Sequence, residues 1–265
     1  MPTILHLNVE RNRHLDNVTA LIKEKSPDIV CLQEAMADDI KLISDRSGYS
    51  FAFSPLVTLR VAGSIKQLGQ VILSRYPILE TQRHFYNDQA SEYTTIRTFD
   101  ELDLTDGTRP KDRFDYGYSL LTCRLDTDKG AILTVATTHF PVTDHFMPGL
   151  GDHMIRTIKS VDDVERSTIF MDRLISIIRR QEKPFVFTAD LNNPRGESIY
   201  DRLAHELTDH VPLEIKSSID PDLHRAKKLS LLVDTIMTSE DVSVSSFEVI
   251  TGVSDHKAYL ATFNT

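Results

Sequence analysis

FVFTADLNNP, residues 185–194, is an apolar run of strand composition that gives way at its carboxyl end to Asp190 and Asn192. Short runs of this kind read as strands buried in a sheet, where β-branched and aromatic side chains pack well. The pattern recurs outward in both directions. Upstream lie Thr3–Leu7, Ile29–Leu32, Gln70–Ser74, Tyr118–Arg124 and Ala131–Thr137, and downstream Val233–Thr238 and Ala258–Phe263. Between some of them the spacing turns helical. Leu15, Val18, Leu21 and Ile22 share a face over Arg13–Lys25, and Ile169, Leu174, Ile177 and Ile178 recur over Val164–Arg180. Strands outnumber helices, and some neighbouring strands are too close in sequence for a helical crossover, so a purely parallel sheet fits poorly. The expected fold is α/β, a four-layer sandwich of two mixed β-sheets packed face to face and flanked by helices.

A chain of 265 residues, 40% hydrophobic, can bury a large core, and no break in composition divides it, so a single domain over residues 1–265 is expected. Its formal net charge of −9 argues against a uniformly basic nucleic-acid-binding surface, although a local basic patch or a metal ion could supply positive charge. A nucleic-acid substrate is therefore open but not indicated. Cys31 and Cys123 each sit in an apolar run without zinc-ligand spacing and read as reduced core thiols. The opening MPTILHLNVE has no basic segment followed by a long apolar stretch, and no later run approaches the ~20 residues that span a bilayer. These features predict a cytoplasmic protein with no membrane insertion and no evident obligate protein partner. The polar stretch His84–Phe114 reads as a hairpin or irregular excursion, and Thr143–Asp163 as a lid or binding loop.

Strand ends are where an α/β scaffold presents reactive groups. Asn8, Glu34, His139, Asp190 with Asn192, and Asp255 with His256 all flank apolar runs, and Asp234 interrupts the run LLVDTIM. Taken singly, Asn8 could be a turn residue, Glu34 and Asp190 helix caps, and His139 a satisfied core histidine. Asp234 is harder to dismiss, since a carboxylate among Leu231, Leu232, Val233, Ile236 and Met237 is costly to bury unless a cation, histidine or metal faces it. Several oxygen donors together suit a hard cation, and hydrolysis needs an oriented base.

In order along the chain, LHLNVE, PDIVCLQE, LGQVILSRYPI, TTHF, TADLNNP, VDTIM and VSDHKAYL resemble the conserved elements of the endonuclease/exonuclease/phosphatase superfamily, the deoxyribonuclease-like metal-dependent phosphoesterases. The resemblance implies that Glu34, helped by Asn8 and Asp255, holds Mg2+ or Mn2+. It further implies that Asp190 orients or deprotonates the attacking water, that Asn192 and His139 donate to the phosphate, and that Asp234 holds His256 against it. Ala189, Leu191 and Lys257 depart from the family's usual residues at their positions and leave the subfamily open.

For the substrate, His145 and His153, and the segment DPDLHRAKK with His224, Arg225, Lys227 and Lys228, could grip a second phosphate, or could be ordinary solvated surface. His145, His224 and Arg225 are the substrate-binding candidates. The leading expectation is a metal-dependent phosphodiesterase or phosphatase acting on a soluble phosphorylated substrate. The alternatives are a nuclease or DNA-end-processing hydrolase, and a catalytically idle binding protein that keeps the fold.

Overall fold

The computed structural model describes residues 1–61, 64–86, 98–100, 116–128, 130–142, 161–225, 227 and 229–264. Helices α1 (Leu15–Lys25) and α2 (Ala37–Ser47) lie in the first half, and α3 (Val161–Ile178) and α4 (Ser198–Ala204) in the second. The first sheet contains β1 (Thr3–Asn8), β2 (Ile29–Met36), β3 (Ser50–Val61), β4 (Ser64–Ser74), β6 (Thr98–Asp100), β12 (Ser243–Ile250) and β13 (Ala258–Asn264). Their spatial order is β12-β13-β1-β2-β4-β3-β6. The second contains β5 (Ile78–Phe85), β7 (Ser119–Asp128), β8 (Ala131–His139), β9 (Phe185–Asp190), β10 (Thr208–Asp209) and β11 (Asp234–Thr238), in the order β10-β11-β9-β8-β7-β5. Both sheets are mixed: β1 runs parallel to β2 and β8 parallel to β9, while β13, β4, β7 and β11 flank those pairs antiparallel.

Alternation along β1 explains the layering. Leu5, Leu7 and Val9 face one way and pack with Val18, Leu21 and Ile22 of α1 and Ile40 and Ile43 of α2. Ile4 faces the other way, into a core shared with Ile29, Cys31 and Ile72 of the same sheet and Val135 and Val186 of the opposite one. That second core continues under α3 through Phe170, Met171, Leu174 and Ile175. The result is helices, sheet, sheet, helices, the expected four-layer sandwich. No described helix is long and apolar enough to cross a membrane.

Each of the eight apolar runs overlaps a strand, and the two expected helices are α1 and α3. One helix position is corrected: Ile169 is 39% exposed, because the buried stripe of α3 runs through Phe170, Met171, Leu174 and Ile175 instead. His84 lies within β5, which runs to Phe85, rather than beginning an excursion. Much of 84–114, all of 143–160 (with His145 and His153) and Lys228 lie outside the described residues.

The gap between the sheets is polar at one end. Gln33 on β2 donates to Thr137 on β8 at 2.7 Å, and Thr188 on β9 donates to the same hydroxyl at 2.9 Å. Ser54 on β3 meets Ser119 on β7 at 2.9 Å, and Gln70 on β4 donates to the Ser119 carbonyl at 2.7 Å. Close packing at this end leaves no room beside Gly69, where an added Cβ would lie 2.2 Å from the Ser54 carbonyl oxygen.

Candidate active site

The polar end is also where the sequence-predicted residues converge. Asn8 closes β1, and its Nδ2 donates to Asp190 Oδ2 at 2.9 Å and to Glu34 Oε1 at 3.4 Å, while its Oδ1 accepts the Glu10 N–H at 3.0 Å. The amide therefore spans the gap between a carboxylate of each sheet. His139, at the end of β8, brings Nε2 to 3.6 Å from Asp190 Oδ2 and 3.9 Å from Glu34 Oε1. Its backbone N–H is fixed by the Gln70 side-chain oxygen at 2.8 Å.

Backbone strain aims two of these groups. The β2–β4 register slips between Leu32 and Ala35, a bulge that holds Glu34 at φ +53°, and Asn192 sits at φ +52°. Glu10 and Arg11, in the facing loop, are left-handed as well, and Arg11 N–H bonds the Glu34 carbonyl at 3.0 Å. Left-handed backbone at a non-glycine residue costs about 1 kcal/mol or more and persists where surrounding contacts over-determine it, as at functional sites. Asn192 is held on two sides: its backbone N–H donates to Asp190 Oδ1 at 2.9 Å and its Nδ2 to the Phe140 carbonyl at 2.9 Å. Among the described residues, the second side-chain N–H of Asn192 has no acceptor.

On the second sheet, Asp234 begins β11 opposite Asp190 of β9. Its Oδ2 lies 2.7 Å from His256 Nδ1, and its Oδ1 lies 3.0 Å from Nε2 of His6, which faces the inter-sheet gap from β1. Asp190, Asp234 and His256 place ligand-type atoms within 4.8 Å of one another.

Electrostatics differ from group to group. Burial pushes Asp190 above the usual carboxylate range, the Asp234 charge adds to this, and His256, His139 and Asn8 oppose it. Burial would raise Asp234 too, but the charge and hydrogen bond of His256 and the His6 contact outweigh it and hold that carboxyl well below its usual range. His256 is pushed up to about 10: desolvation works against this, and the Asp234 and Asp190 charges overcome it. Asp255 is raised to about 6 by burial and by the nearby Glu10 and Glu34 charges, with His256 opposing.

Asp255 stands beside His256 on the loop before β13, accepting only the Ser254 hydroxyl at 3.2 Å among the described side chains. The backbone N–H of Asp220 donates to the Asp255 carbonyl at 2.8 Å, and the Asp220 carboxylate accepts the Gly252 N–H at 2.7 Å. This ties the segment carrying His224 and Arg225 to the Asp255 loop. Arg225 is exposed on it and His224 half-buried.

The donor set suits a hard divalent cation. Glu34 and Asp255 bring negative charge together with no Lys or Arg paired to either among the described residues, and Glu10 beside them is paired with Arg13 at 2.7 Å. Sequence reasoning missed His6, Glu10 and Gln70. The signal for His6 was available: it precedes Asn8 by two in a strand and so shares its face.

A sequence model described as the Endonuclease/Exonuclease/phosphatase family matches residues 5–256. Comparison with curated proteins gives no sequence match. Similar solved structures include an endonuclease/exonuclease/phosphatase from Bacteroides vulgatus, 16% identical with a TM-score of 0.66, covering 99% of this chain and 98% of that one. A mannosyl-6-phosphatase of Bacteroides thetaiotaomicron is 13% identical, with a TM-score of 0.65 and full coverage of both chains. TDP2 of D. rerio, solved with a single-strand DNA product, is 14% identical with a TM-score of 0.65, covering 100% of this chain and 99% of that one.

Proposed function

The chain belongs to the endonuclease/exonuclease/phosphatase family, and on that footing we propose that it is a divalent-metal-dependent hydrolase that cuts a phosphoester bond of a soluble phosphorylated substrate. The observation that carries the reading is the meeting of Asn8, Glu34, His139 and Asp190, from four strands of two sheets, beside the Asp234–His256 pair.

Glu34 and Asp255, with Asn8 beside them, would hold Mg2+ or Mn2+, which when bound neutralises charge on a phosphate oxygen and on the leaving oxygen. Asp190, with its raised pKa, accepts a proton from the attacking water and orients it. The water oxygen forms its bond to phosphorus as the bond to the leaving oxygen breaks in line, with no covalent enzyme intermediate. His256, kept protonated by Asp234, faces the phosphate with its other nitrogen and stabilises the charge that develops there. The spare N–H of Asn192 and the His139 imidazole add donors. His224 and Arg225, on the loop tied to Asp255, would meet a second anionic group of the substrate.

The test is a hydrolysis panel with Mg2+, Mn2+ or chelator: bis-p-nitrophenyl phosphate, p-nitrophenyl phosphate, single- and double-stranded DNA, RNA, sugar phosphates and inositol phosphates. Metal-dependent release that disappears in Asp190→Ala supports the reading and names the substrate branch. Silence across the panel in a protein that also fails to bind either metal sinks it in favour of an idle scaffold.

A further inference from the structure

His6 takes no part in the chemistry just described, yet it is completely buried and, among the described residues, makes one side-chain hydrogen bond, to Asp234, 228 residues away and on the opposite sheet. Both partners have no exposed surface, a placement that is costly for polar groups unless the geometry serves something. The platform beneath His6 is rigid. It lies in the middle of the first sheet, paired with Cys31 of β2 on one side and Tyr259 of β13 on the other, and its ring packs against the Tyr259 ring at 6.0 Å between centroids.

Asp234 is thus a carboxylate held at both oxygens by imidazoles, Oδ1 by His6 and Oδ2 by His256. With one oxygen fixed by a donor anchored in the sheet, the carboxylate cannot rotate about its own axis when His256 shifts. The tautomer follows from the surroundings. Nε2 of His6 faces the anion and carries the proton, while Nδ1 is buried without a hydrogen-bond partner among the described residues. A bare lone pair there is cheaper than an unpartnered N–H. His6 therefore presents one directed donor to Asp234, and Asp234 divides its acceptor strength between two rings.

We infer that His6 is a positioning residue: it locks Asp234 so that His256 is held with Nδ1 inward and Nε2 toward the reacting phosphate. The inference rests on the hydrolase reading only for its kinetic readout; the pairing itself can be measured without turnover.

The test compares His6→Leu, which fills the space without a donor, with His6→Gln, whose Nε2 reaches to where the imidazole Nε2 stands. Outer partners of this kind are worth about 10- to 100-fold in activity. In folded protein, His6→Leu should lower kcat on bis-p-nitrophenyl phosphate by about that factor with KM unchanged, and His6→Gln should restore most of it. In the metal-free protein, the downfield imidazole N–H proton of His256, assigned by its loss in His256→Ala, should move in His6→Leu and return in His6→Gln. An unmoved His256 proton in folded His6→Leu overturns the inference, as does a kcat loss that His6→Gln fails to recover. Should wild-type protein cleave no phosphoester, the hydrolase reading fails, and the His256 proton still decides for or against the lock. If His6→Leu does not fold, His6→Gln and His6→Met take its place in the spectroscopic arm, with the donor-bearing variant expected to match wild type and the other not.

Discussion

The two halves of the site are built on opposite principles. Asp234 is fully buried and satisfied at both oxygens by His6 and His256. Glu34, a short distance across the cleft, is 27% exposed and shares its neighbourhood with Asp255 and Glu10. One half is complete within the protein, its charge answered by imidazoles. The other brings Glu34 and Asp255 together with no Lys or Arg paired to either among the described residues, while Glu10 beside them is answered by Arg13 at 2.7 Å. If Glu34 and Asp255 hold a cation as proposed, the first half should matter to folding as well as to chemistry, and the second chiefly to metal binding.

That contrast can be broken in order of effect. Asp190→Ala and His256→Ala should each lower turnover by about a thousandfold or more in protein with an unchanged circular dichroism spectrum; near-normal activity in a folded His256→Ala variant would remove the mechanism. Asp234→Ala leaves two buried imidazoles facing an empty space and should cost about 3 kcal/mol in urea unfolding. Glu34→Ala, by comparison, should leave metal-free stability within about 0.5 kcal/mol of wild type, because it relieves repulsion as it removes contacts. Equal losses from the two substitutions would erase the distinction drawn above. Saturating Mg2+ or Mn2+ should raise the melting temperature of wild type by about 2 °C or more, reversed by chelator, and should do nothing for Glu34→Ala. The smallest expected change is at the rim. Arg225→Ala should raise KM for a polyanionic substrate by a few-fold with kcat intact and lessen its dependence on salt.

The layered fold was legible because its central strands are buried on both faces and read as apolar runs. The strands that were missed lie where that signal fades. Among the described residues β12 pairs only with β13, at the edge of its sheet, and it carries Ser243, Ser245 and Ser246. β3 contains Pro55, tolerated at a register shift between Pro55 and Val57. α2 follows β2 with no intervening loop and buries only Ile40 and Ile43, too few for its period to stand out. In the site, Asn8, Glu34, His139, Asp190, Asn192, Asp255 and His256 were visible as polar punctuation beside apolar runs, and Asp234 as a charge inside one. His6 shares a strand face with Asn8, but nothing local says that this face meets Asp234 across a gap. Its role depends on how the two sheets are stacked, which no stretch of sequence states by itself.

The hydrogen bonds that cross between the sheets, Gln33 to Thr137, Ser54 to Ser119 and Gln70 to Ser119, act as indexing pins. Aliphatic side chains can re-mesh one notch along a strand with little loss, but directional hydrogen bonds cannot. Tolerance to mutation should therefore be graded along the strands. The end around Ile4, Ile29 and Val186 can exchange one hydrophobic for another and drift by fractions of an ångström. The pinned end keeps Asn8 opposite Asp190, and the alignment of the reacting groups is insulated from whatever the far end of the molecule does.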